Sequence, residues 1–125
     1  MTRLEHVNLT VSDPDRTAAL LCGLFGWKVR WAGPAMTSGR AVHVGGKDSY
    51  VALFSYGDAV ASREESYRTR AGLNHIAVVV ADLRATEARV KAAGLVPENH
   101  ADYEPGRRFY FREPDGIEIE VVSYS

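Results

Sequence analysis

Apolar and polar residues alternate in the same way at two places along this chain. In "RLEHVNLTVSD", residues 3–13, Val7, Leu9 and Val11 fall on one side of an extended segment, and His6, Asn8 and Thr10 on the other. Period-two alternation predicts a strand with one buried face. In "GLNHIAVVVAD", residues 72–82, Ile76, Val78 and Val80 alternate with His75, Ala77 and Val79. Leu4, His6, Val11 and Asp13 recur as Leu73, His75, Val80 and Asp82, at a constant offset of 69 residues. Helix signals follow each strand. Asp13 before Pro14 reads as an N-cap ahead of a proline at the first helical position, and the helix runs through "DRTAALLCGLF" to a stop near Gly26. Asp82 opens a second helix, "LRATEARVKAAG", that ends at Gly94.

Three strands are predicted after each helix. In the first half they are "WKVRWA", "AVHVGG" and "YVALFSY"; in the second they lie near "LVPENH", "RRFYFRE" and "GIEIEVVSY". "VGGKDS" and "EPDG" are turn signals between them. The fold class is therefore α+β: two βαβββ modules forming a curved mixed sheet with the helices on its outer face. The modules span about 1–56 and 73–125 of a single domain, joined by a polar linker over about 57–72 that includes the charged run "REE".

A βαβββ unit leaves one sheet face uncovered by its helix, and two such faces side by side make a trough. The pattern assigns His6, Asn8 and Thr10 to it, with His75, Ala77 and Val79 from the repeat. In the last strand Ile117, Ile119 and Val121 turn toward the helices, so Glu118 and Glu120 turn toward the trough. Phe109 and Phe111 belong to the core, leaving Arg108, Tyr110 and Arg112 on the trough side.

Composition narrows the function classes. The chain has 125 residues and a net charge of -1, which gives no electrostatic footprint for nucleic acid or an anionic membrane. Its longest apolar stretch, Ile76 to Ala81, is too short to cross a bilayer. No charged, apolar, then small-residue pattern is present at the start, and the single cysteine, Cys22, reads as a core residue. The cytosol is the expected compartment.

His6 and His75 are related by the internal repeat, so the two imidazoles are expected to meet near its axis. Glu120 lies in the final strand. Two neutral imidazoles and a carboxylate form a facial set for one divalent metal and leave positions open for water or substrate. Zinc, nickel, manganese and iron(II) all suit these donors. Glu118 shares the face nearer the strand start, either solvated or as a partner to a ligand. Tyr110 is placed to hydrogen-bond an oxyanion, and Asn8 and Arg108 to contact substrate. His43 has an open facing, and Trp31, Tyr50, Phe54 and Tyr56 are candidates for an aromatic wall.

"LEHVNLTVSD", "LNHIAVVVAD" and "FYFREPDGIEIEVV" resemble the vicinal oxygen chelate superfamily, which includes glyoxalase I, fosfomycin-resistance thiol transferases, extradiol dioxygenases, methylmalonyl-CoA epimerases and bleomycin-resistance proteins. The resemblance covers nearly the whole chain. It implies a paired βαβββ fold and, position by position, His6, His75 and Glu120 as metal ligands. It also implies a homodimer, in which modules pair within or between chains, and small-molecule substrates. Glutathione or another thiol is an implied co-substrate. The chain departs from the glyoxalase I and epimerase pattern at Ala52, where those enzymes carry a fourth ligand, Glu or Gln. A methyl group neither binds metal nor takes a proton, so a base must come from elsewhere. Tyr110 and His100 are the candidates, the latter by likeness to the acid/base histidine of the dioxygenases. The implied function is a metal-dependent enzyme of lyase, isomerase, thiol-transferase or ring-cleaving type. The alternative is a non-catalytic binder like the bleomycin-resistance proteins.

Overall fold

A computed structural model of the chain describes residues 1–35, 38–57, 66–103 and 106–125. The elements run β1 (His6–Thr10), α1 (Pro14–Phe25), β2 (Lys28–Pro34), β3 (Arg40–Gly45), β4 (Tyr50–Ser55), β5 (Ile76–Val79), α2 (Leu83–Ala92), β6 (Glu98–Tyr103), β7 (Gly106–Arg112) and β8 (Glu118–Ser123). They fall into two compact units, Met1–Ala61 and Ser62–Ser125. Each is β-α-β-β-β, as the alternation predicts.

In the first unit the strand order is β1-β4-β3-β2, and in the second β5-β8-β7-β6. The first strand of each pairs in parallel with the last, and the other pairings are antiparallel. The register reproduces the repeat. Asn8 stands opposite Ala52, and Ala77 stands opposite Glu120. Ala52 is thus the structural counterpart of Glu120, at the offset of 68 residues that follows the one-residue difference between the helices.

Both helices start on an aspartate. The Asp13 side chain accepts from the Arg16 N–H at 3.2 Å, and Asp82 from the Ala85 N–H at 3.0 Å. Each satisfies one of the N–H groups that a helix start leaves without a partner. Gly26 ends α1 in the left-handed region, φ 72°, where a Cβ would be strained, and its N–H bonds the Cys22 carbonyl at 2.9 Å. One face of α1 buries Thr17, Ala18, Leu21 and Leu24 over β3 and β4, which carry the buried Val42, Val44 and Leu53. In the second unit Thr86 and Val90 of α2 meet a core of Val78, Phe109, Phe111, Ile119 and Val121. Each helix covers one sheet face, so the polar positions of the alternation lie on the other.

Two details differ from the sequence reading. β6 starts at Glu98 rather than Leu95, because Pro97 has no N–H to give to a ladder, and Val96 stays exposed. The linker residues 66–71 form successive turns that bury Ser66, while "REE", residues 63–65, lies outside the described residues. No helix among the described residues is long and apolar enough to cross a membrane.

Candidate functional site

In the second unit the candidate residues come together on the face away from α2. His75 sits one residue ahead of β5. Its Nδ1 lies 2.6 Å from Asn74 Oδ1, and its Nε2 lies 3.0 Å from Glu120 Oε1. The other oxygen of Glu120 accepts from Arg108 Nη1 at 2.7 Å. Arg108 also donates to the Gly106 carbonyl at 3.3 Å. Tyr110, directly opposite Glu120 in the β7–β8 ladder, sets its ring edge-on to His75 with centroids 5.7 Å apart. The alternation predicted this facing of Arg108, Tyr110 and Glu120, and β7 holds it because Phe109 and Phe111 are fully buried on the opposite side.

Glu118 is not solvated. It is 3% exposed, accepts hydrogen bonds from the Tyr67 hydroxyl and from Arg112 Nη2 at 3.4 Å, and lies 3.9 Å from His75 Nδ1. A buried carboxylate needs such partners, since desolvation without them is costly. The Glu118 hydrogen bond pushes the Tyr67 phenol up to about 12, with burial adding to it.

In the first unit His6 lies on the helix-free face with Asn8, which is exposed. His6 Nδ1 is 2.9 Å from Glu5 Oε1, and Tyr50 donates its hydroxyl to the same oxygen at 3.3 Å. The His6 hydrogen bond is the main cause holding the Glu5 carboxyl below its usual range, with Tyr50 second. His6 and His43 both stack on the Tyr50 ring at 4.7 Å. His43 therefore shares the face of His6; its burial, then its neighbours His6 and Arg30, lower its pKa.

Glu5 and Asn74 are a pair that the sequence reading passes over. Each immediately precedes a repeated histidine, at the same 69-residue offset, and each offers a side-chain oxygen to Nδ1. An oxygen acceptor at Nδ1 fixes the proton there and leaves the lone pair on Nε2, as metal-bound histidines require. In His75 the Nε2 atom faces a carboxylate oxygen, a contact that one proton or one metal ion between them satisfies. Ligand atoms each ~2.1 Å from one ion and at right angles to each other stand about 3.0 Å apart. The 3.0 Å separation of His75 Nε2 and Glu120 Oε1 fits that spacing. Among the described residues no three His, Cys, Asp or Glu side chains gather into a group that could hold a metal ion.

His100 goes elsewhere. Glu98 pairs with Tyr110 but Ala101 pairs with Arg108, so β6 carries an extra residue, and Asn99 takes a left-handed φ of 54°. This bulge turns His100 to the helix side, where Nε2 lies 3.1 Å from Glu87 of α2 and the ring stacks on Phe109. In a regular strand His100 would stand opposite Arg108 on the Tyr110 side.

The sequence pattern of the Glyoxalase/Bleomycin resistance protein/Dioxygenase superfamily matches residues 3–121. None of the functionally curated proteins matches the chain. Solved structures share its fold. A glyoxylase/bleomycin resistance protein/dioxygenase domain from Frankia sp. EAN1pec is 22% identical, with a TM-score of 0.81 over 98% of this chain and 92% of that one. The genomically encoded fosfomycin resistance protein FosX of Listeria monocytogenes, complexed with Mn(II) and sulfate, is 21% identical, with a TM-score of 0.76 over 100% and 94%. TnmS3, an antibiotic binding protein from Streptomyces sp. CB03234, is 18% identical, with a TM-score of 0.76 over 100% and 98%. With its repeated βαβββ units and a pattern match over nearly its full length, the chain belongs to the Glyoxalase/Bleomycin resistance protein/Dioxygenase superfamily.

Proposed function

We propose that the chain is a divalent-metal-dependent enzyme acting on a small oxygen-rich substrate, with His6, His75 and Glu120 as the protein ligands. One observation carries the reading: His75 Nε2 lies 3.0 Å from Glu120 Oε1, while Nδ1 on the other side of the ring lies 2.6 Å from Asn74 Oδ1. Glu5 gives His6 the same preparation. His6 would be the third ligand, supplied by the chain's own first unit or by a second copy in a homodimer. Zinc, nickel, manganese and iron(II) suit the donors, and the Mn(II) bound by FosX supports a metal of this class. When bound, such an ion supplies Lewis acidity for charge that develops on substrate oxygen.

The remaining roles belong to the protein. Arg108 occupies Glu120 Oε2, which holds the carboxylate with Oε1 toward His75, and its hydrogen bonds to Glu120 and Gly106 leave it a positioning rather than a substrate-contacting role. Tyr110, edge-on to His75, is placed to donate a hydrogen bond to a substrate oxyanion and to exchange a proton with it. Exposed Asn8 is the substrate contact of the first unit. Ala52 supplies no base, and His100 is committed to Glu87, so Tyr110 or the substrate itself carries the proton. The chemistry is of the lyase or isomerase, thiol-transfer or ring-cleaving kind, with a thiol such as glutathione as co-substrate in the second case. The cytoplasm is the proposed compartment.

The salt bridge between Arg108 and Glu120 favours a second reading, a binder without metal, because the guanidinium meets the carboxylate's charge unaided. An activity screen separates the two. The purified protein, loaded in turn with each metal, is offered methylglyoxal with glutathione, catechols with oxygen, and fosfomycin with thiols. The enzyme reading expects one activity that Glu120→Gln abolishes; equal activity in that variant would detach function from this site.

A further inference from the structure

We propose that the helix-free face of the first unit binds a planar aromatic carboxylate, the ring against the outward side of the Trp31 indole and the anionic group at Arg30. This names a substrate class for the proposed site, and rests on that reading only in taking the face of His6 as the ligand side.

The platform begins with a backbone irregularity. Val29 pairs with Val44 and Trp31 with His43, so β2 has one residue more than β3 across this step. A bulge of this kind breaks the alternation and lets adjacent side chains reach one face. Arg30 and Trp31 use it in that way. The Arg30 guanidinium carbon lies 4.6 Å over the Tyr50 ring, and the Trp31 indole lies 5.1 Å from His43. A regular strand would send these neighbours to opposite faces.

The rings share an orientation. Tyr50 lies within 15° of His6 and 24° of His43, and the two imidazoles within 17° of each other. Glu5 fixes the group by accepting from both His6 and Tyr50. Beyond them Trp31 tilts by 50° and is 49% exposed. Its inner side rests on Gly33, where an added Cβ would come within 2.9 Å of the indole. The outward side of the indole therefore remains for a partner.

The floor is small where the other unit is large. Ala52 stands opposite His43 at the position that Glu120 takes in the repeat, and Ala41 stands opposite Gly33. Ala52 is buried, so the floor is closed beneath the rings, and the carboxylate on this face, Glu5, is held by His6 and Tyr50. The open side of the Trp31 indole favours a flat π-system, worth roughly a factor of ten in affinity for a well-stacked ring. The exposed Arg30 adds the fork geometry that matches a carboxylate.

The test uses the full chain and three probes: 2-naphthoate, cyclohexanecarboxylate and 2-naphthylmethanol, titrated by calorimetry with the Trp31 indole N–H followed by NMR. The proposal expects 2-naphthoate to bind at least about tenfold tighter than either control and to shift the Trp31 signal. Trp31→Ala and the surface change Arg30→Gln should each weaken it by about tenfold. Equal binding of all three probes, or unchanged affinity in Arg30→Gln, overturns the proposal. So does an absence of binding, the result expected if protein covers this face. Repeating the titration with a chelator separates the two readings. Ring-dependent binding in a chain that takes up no metal supports the platform and sinks the metal site alone. Metal uptake without naphthoate selectivity does the reverse.

Discussion

Replacing Tyr67 with phenylalanine removes one oxygen and tests how the buried Glu118 carboxylate is held. The hydroxyl donates to Glu118 Oε1, and Glu118 is 3% exposed, so the bond is charge-assisted and its acceptor is out of water. Such bonds contribute about 1.5–3 kcal/mol when both partners are buried. Tyr67 itself is 51% exposed, which lets water replace part of the lost bond. We therefore expect a loss of about 1 kcal/mol, or roughly 3–6 °C in Tm for a chain of this size. The pH dependence supplies an independent sign. The folded phenol is raised to about 12 from an ordinary value of 10. The folded state thus holds the proton more tightly than the unfolded one. The contribution is full below pH 10 and is lost as pH rises toward 12. The difference in stability between wild type and Tyr67→Phe, from urea midpoints at pH 8, 10 and 11.5, should narrow across that window. A constant difference, or none at pH 8, would refute the reasoning.

Other perturbations have separate readouts. Phe111→Ala, at a side chain with 0% exposure, should cost about 3–5 kcal/mol in urea unfolding. Asp13→Ala and Asp82→Ala remove equivalent caps and should each cost about 1 kcal/mol; a several-fold disparity would show that the repeat does not extend to energetics. Glu5→Leu and Asn74→Leu leave the proposed ligands in place but free their Nδ1 atoms, and each should weaken metal binding roughly 10–100-fold in a chelator competition.

Much of this was legible in the residues because the signals are local and repeated. The offset from His6 to His75, the two aspartate caps and the alternation of "RRFYFRE" and "GIEIEVV" predict the elements and the facing of Arg108, Tyr110 and Glu120. What alternation cannot register is a residue inserted into a ladder. The bulge at Asn99 turns His100 to Glu87, and the bulge before Trp31 brings Arg30 onto the Tyr50 ring. Neither leaves a mark in hydrophobic periodicity. Tyr67 was hidden for another reason: its partner lies 51 residues away, and nothing in a polar linker points to a buried carboxylate. Glu5 and Asn74 were within reach, since both sit beside a repeated histidine, but their residue types differ and only the hydrogen bonds show the common role.

Whether His6, His75 and Glu120 together hold one divalent ion is read out by Co(II) titration of the metal-stripped chain, through the visible absorption that the bound ion acquires. We expect saturation at one equivalent per chain, with His6→Ala, His75→Ala and Glu120→Gln each weakening binding by more than about 100-fold while the far-ultraviolet spectrum is unchanged. Saturable binding that survives all three substitutions, or no binding by the folded wild type, would contradict it.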